Sequence, residues 1–139
     1  MKITIETIPH SDQRYNTVGD WTGSAGSQLS IKVSGCDDWR MECLVAVHEL
    51  VEAILCEHAN VSANEVDNFD LAWTPHNGLV EPGEDADAPY YGQHLRATAL
   101  EKRLATYLGI EWSEYEEAIG EAQASWRTDE YEDEEDYHV

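Results

Sequence analysis

The stretch from Asp38 to His58 constrains the fold more than any other, because it is long enough for roughly five to six helical turns and carries ionisable groups where such a helix should be apolar. At about 100° per residue its apolar stripe runs Met41, Leu44, Val45, Val51 and Leu55, and His48 and Glu52 fall inside it. An unpaired carboxylate on a core-facing surface costs roughly several kcal/mol. A cation is therefore expected opposite Glu52, either a metal ion or a basic side chain such as Arg96 or Arg103.

Around that helix the chain reads as one α+β domain over residues 1–127, a size that can bury a genuine core. Alternating apolar and polar residues predict strands over 2–8 and 29–34, with a short third strand over 17–22, and a small antiparallel sheet is the simplest product. Gly35 closes the last strand and Asp37 or Asp38 caps the long helix. A capping box, Ser62 to Glu65, opens a shorter helix over 62–73. Residues 74–92 then lose all periodicity and hold Pro75, Asn77-Gly78, Pro82-Gly83 and Pro89 among acids, a loop length that is more often functional than a plain connector. A third helix follows over 93–108, with Ala97, Leu100, Leu104, Tyr107 and Leu108 as its apolar stripe. A fourth, over 113–126, is capped by Ser113. Trp21, Trp39, Trp73, Trp112 and Trp126 read as core or edge packing. Residues 128–139 are dominated by acids and read as a disordered tail.

Helical spacing of four stacks His48 over Glu52, so the two can hold one ion together. Glu49 lies beside His48 around the helix, placed to act as a general base on a bound water. His94 and Glu101 share a face of the third helix, and Glu101 falls within its stripe. A second helix thus points a histidine and a carboxylate inward.

His48-Glu49-Leu50-Val51-Glu52 resembles the active-site helix of the zincin metallopeptidases, whose motif is His-Glu-x-x-His, with Glu52 in place of the second histidine. The resemblance covers five residues, and the order of a sheet before the helix and further helices after it matches a minimal zincin-like domain. With His94 as third ligand, the resemblance implies two histidines and one glutamate, the ligand set of thermolysin-like enzymes in another order. Glu101 would then be an outer carboxylate orienting His94, or a fourth ligand, and Asp70, one of the paired acids on the shorter helix, is a candidate extra ligand. The resemblance also implies one divalent metal, Zn2+ first, with Fe2+ or Mn2+ admitted by the added carboxylate. Glu49 would activate the metal-bound water for attack on a peptide or amide carbonyl. The wider chain is similar to small acidic proteins of tailed bacteriophages that carry a His-Glu-Leu-Val-Glu helix and a Pro-Gly-rich acidic loop, a likeness that brings no activity with it.

Charge narrows the partners. Against 8 basic residues stand 29 acidic ones, a formal net charge of -21, which opposes direct binding to nucleic acid or to an anionic membrane. No apolar run approaches the roughly 20 residues of a membrane span, and the amino terminus lacks a signal-peptide core. Cys36, Cys43 and Cys56 are odd in number without a close pair, which favours free thiols in a reducing cytoplasm. Two other function classes stay open on sequence alone. One is a non-enzymatic acidic inhibitor whose carboxylates imitate nucleic-acid phosphates for a basic host protein, around a structural metal. The other is a magnesium-dependent nucleotide pyrophosphohydrolase using Glu49, Glu52, Asp67 and Asp70.

Overall fold

The computed structural model describes residues 1–137, with side chains placed through residue 126. It is an α+β protein in which three strands come first and four helices follow. Strands β1 (Lys2–Ile8), β2 (Gly19–Gly23) and β3 (Gln28–Ser34) precede helices α1 (Trp39–His58), α2 (Ala63–Ala72), α3 (Tyr91–Tyr107) and α4 (Trp112–Tyr137). The backbone of α4 therefore runs through most of the expected acidic tail, whose side chains lie outside the described residues. Residues 138–139 are likewise outside them.

The sheet is mixed rather than antiparallel. Its spatial order is β1-β3-β2, with β2 antiparallel to β3 and β1 parallel to it, Ile5 opposite Ile31. The strands still alternate in direction along the chain. What differs is the edge that β1 takes: residues 9–18 cross over the end of β3, so that β1 and β2 flank it. Local alternation cannot reveal that choice, because it is made by the crossing segment. Buried Gln13 anchors the crossing, its amide donating to Ser34 Oγ at 3.1 Å and to the Lys32 carbonyl at 3.3 Å. His10 Nδ1 lies 2.7 Å from the same hydroxyl.

Central strand β3 alternates as its sequence does, with Leu29, Ile31 and Val33 buried toward α1 and Ser30 and Lys32 turned away. Each such side chain contributes on the order of 1.5–3 kcal/mol by leaving water. Asp38 caps α1 by accepting from the Arg40 amide at 3.0 Å, and Ser62 caps α2 by accepting from Glu65. Helix α1 lies between the sheet on one side and α3 on the other, so Leu44 and Val45 are buried together with Ala53 and Cys56.

Two packing expectations change. The line that α3 presents to α1 is His94, Ala97, Glu101 and Ala105, turned about one residue from the expected stripe, and Leu100 and Tyr107 are exposed. Apolar residues lie on both sides of α3, Leu104 packing against the core and Leu95 and Leu100 facing out, and the polar pair turns inward because it has partners on α1. Trp39 is also exposed, at the first turn of α1, whereas Trp21 is buried.

Candidate metal centre

His48, Glu52 and His94 converge where α1 meets α3, and all three are buried. Glu52 Oε2 lies 3.1 Å from His48 Nε2 and 3.0 Å from His94 Nδ1, and the two ring nitrogens are 3.2 Å apart. Two imidazole nitrogens and a carboxylate oxygen aimed at one point are a donor set for a divalent ion. Among the described residues it is the single group with that property. The donors fit a metal for a second reason. Neither Arg96 nor Arg103 reaches Glu52, so the expected arginine partner is not what meets this carboxylate; the two rings and the Trp21 indole, which donates to Oε1 at 3.1 Å, do.

Outer groups hold the ligands in place. Glu101 meets His48, not His94: its Oε1 is 2.8 Å from His48 Nδ1, and Tyr115 of α4 donates its hydroxyl to Oε2. This corrects the expectation that Glu101 orients His94. It stands outside the triad and fixes the His48 ring through Nδ1. His94 has its own acid, Glu81, whose Oε2 is 4.0 Å from Nε2. Asp70 does not join the triad either. Tyr90 and Tyr15 donate to its two oxygens, and those bonds fix it between α2 and the start of α3.

The loop before α3 builds part of the site. A 3-10 turn at Pro82–Glu84 sets Gly83 flat against the His94 ring, so that a Cβ there would come within 2.4 Å of Nδ1 and 2.6 Å of Cγ. Composition marks Pro82-Gly83 as a turn, yet nothing in the sequence ties it to His94. Glu81, Gly83, Tyr115 and Trp21 are the site residues that sequence reasoning missed. We expect Gly83→Ala to push the ring off its position and weaken metal binding at least about tenfold, read by competition with a chromophoric chelator, with a stability loss of about 1–3 kcal/mol in chemical denaturation. Unchanged affinity would mean that the turn yields and does not seat the ring.

Electrostatics at the cluster follow from burial. Leaving water would lower the His48 pKa, but hydrogen bonds to Glu101 and Glu52 reverse that and carry it well above the ordinary histidine value. Burial would raise Glu52; bonds from His48 and His94 outweigh it and hold the carboxyl at about 2. Glu49 accepts no such bonds. Burial and the neighbouring charge of Glu52 raise it well above the ordinary carboxylate range, the His48 charge beside it opposes the rise without reversing it, and no hydrogen bond or ion pair holds Glu49 among the described residues.

Asp70 is raised to about 6, chiefly by burial, with the tyrosine bonds opposing. A carboxyl raised in the folded state binds its proton more tightly there than in the unfolded chain. The stability it contributes is complete below its ordinary value near 3.8 and is lost as pH rises through about 6. Wild type should therefore lose more stability between pH 4 and pH 7 than Asp70→Asn, by roughly 1–2 kcal/mol after allowance for partial exposure. Urea titrations of both proteins at the two pH values check this, and equal losses would remove Asp70 as the source.

All these groups open on one cavity of about 570 Å³, which Glu49, Tyr90 and Trp112 also line. That volume lies within the range that encloses a small organic ligand or a short peptide segment. Among the described residues no helix is long and apolar enough to cross a membrane. Comparison with protein-family models, with curated proteins and with solved structures gives no match.

Proposed function

We propose that the protein is a metal-dependent hydrolase of zincin-like chemistry, acting on a peptide or amide carbonyl. The observation that carries the reading is the placement of an unpartnered carboxylate, Glu49, on the same cavity wall as a buried His48–Glu52–His94 donor set. Zinc suits that set best, and the carboxylate ligand admits iron or manganese.

A divalent ion held by the three donors supplies Lewis-acid polarisation of the substrate carbonyl. The chain's own residues supply the rest. Glu101, itself held by Tyr115, fixes the His48 ring through Nδ1 and leaves Nε2 turned toward the site. Trp21 fixes the second oxygen of Glu52. Glu49 takes a proton from the water that attacks the carbonyl carbon and returns it to the nitrogen as the carbon–nitrogen bond breaks. The α1–α3 seam and the turn at Pro82–Glu84 keep bulk water from the far side of the donors.

Three of the four acids of the pyrophosphohydrolase alternative are engaged by other side chains, which counts against it. Asp67 pairs with Arg14 at 3.1 Å, Asp70 is taken by two tyrosines and Glu52 by two histidines. An acidic interaction protein with a structural metal is the remaining competitor, and it requires no hydrolysis. The decisive experiment digests a mixed peptide library with protein loaded with zinc, iron or manganese, and with the same protein after chelation, and reads the products by mass spectrometry. Cleavage by one loaded form, absent after chelation and restored by that metal, is expected. A loaded form with one equivalent of metal and no product from any peptide would overturn the hydrolase reading and leave the site structural.

A further inference from the structure

The chemistry of the cavity wall says more than the donor set does. Among the described residues nine carboxylates line it, against Lys102 as the one lysine or arginine. Lys102 lies over the Trp112 ring at 5.3 Å and forms no ion pair with these acids. Five of the nine are already engaged. Glu52 and Glu101 hold the histidines, Asp20 and Asp67 meet Arg14, and Asp70 meets its two tyrosines. Among the described residues the other four, Glu49, Glu81, Glu84 and Glu116, have no basic partner other than the histidine ring 4.0 Å from Glu81, and burial pushes the carboxyls of Glu49 and Glu81 up. One divalent ion at the triad would offset only part of this excess of acidic over basic side chains. Such a wall repels phosphates and carboxylates and concentrates cations.

The mouth is different in kind. Val80 and Leu95, neighbours of Glu81 and His94 in the chain, belong to the lining and are 60% and 49% exposed, which puts them at its solvent edge. Apolar side chains left in water beside an acidic interior match a ligand that is part cation and part hydrocarbon.

We propose that the cavity over His48, Glu52 and His94 receives a peptide segment bearing a lysine or arginine side chain, with Glu81, Glu84 and Glu116 facing the cationic head and Val80 and Leu95 taking an adjacent apolar residue. This deepens the hydrolase reading by naming its substrate class and rests on the same site. A peptide is favoured over a free amine because the cavity is larger than one cationic head needs, and because the apolar rim requires a second side chain to cover it.

The test is a binding measurement, so it stands apart from catalysis. Full-length, zinc-loaded protein is titrated with blocked pentapeptides that are identical except for a central lysine, norleucine or glutamate, following intrinsic tryptophan fluorescence, to which Trp21 and Trp112 in the lining contribute. The lysine peptide should bind about tenfold or more tighter than the norleucine one, and the glutamate peptide should bind weakest. Glu84→Gln combined with Glu116→Gln should cut the lysine preference several-fold while zinc stoichiometry stays at one. The net charge of the whole chain can attract cations anywhere, so a full-length variant with Glu132, Asp133, Glu134 and Glu135 changed to amides is the control and should keep the preference. Equal binding of the three peptides overturns the proposal, as does a preference that vanishes with the tail substitutions. Spermidine binding as tightly as the lysine peptide overturns the peptide assignment. Failure of cleavage with the preference intact overturns only the hydrolase reading.

Discussion

Glu49→Gln should lower hydrolysis by the metal-loaded protein roughly a hundred- to ten-thousand-fold while leaving one equivalent of metal bound. Glutamine keeps the shape of the side chain and removes its capacity to accept a proton. Glu49 stands outside the His48–Glu52–His94 group, so the substitution takes nothing from the donor set. It also removes a part-buried carboxyl whose ionisation burial and Glu52 oppose, and folding stability should hold or rise. The informative result is thus a split: activity falls, metal content and melting temperature do not. Metal loss in parallel with activity would make Glu49 a ligand. Undiminished activity would place the base elsewhere on the cavity wall.

Metal loading itself should give the second large effect. Free ion at about a thousand times its dissociation constant adds about 4 kcal/mol to the folded state, a melting shift on the order of 10 °C for a chain of this size. His48→Ala should abolish the shift. That variant also strands Glu101 and Glu52 in a buried setting, so its metal-free form should melt well below wild type, and the readout is the metal-dependent difference within each protein. His48→Gln, which retains a donor for one of the two carboxylates, checks that the lost shift is not merely lost folding. A shift of wild-type size in both variants would show that metal binds elsewhere.

Much of this site was legible in the chain because it depends on helical period. Four residues separate His48 from Glu52, and seven separate His94 from Glu101, so each pair had to share a helix face whatever the tertiary packing. Strand limits, the Asp38 and Ser62 caps and the α+β class follow from equally local rules. Contacts between segments did not. Glu101 turned out to serve the histidine of the other helix, because the side-chain directions on α1 and α3 interleave where the helices cross. The sheet order escaped for the same reason: Gln13 fixes β1 to the far edge of β3 from within a loop that has no periodicity. Gly83 and Glu81 were visible only as turn residues until the chain brought them against His94.

His48 and His94 stand 46 positions apart, on two helices joined by α2 and the Pro-Gly-rich loop. An ion shared between them is a reversible cross-link across a third of the chain, the part a disulfide plays in secreted proteins. With the link open, the two helices would be held by their own packing and side-chain bonds alone, and the long connection between them would open more readily to proteases. The lifetime of this protein in a cell would then follow metal supply, and its abundance would report on that supply without any change in its synthesis.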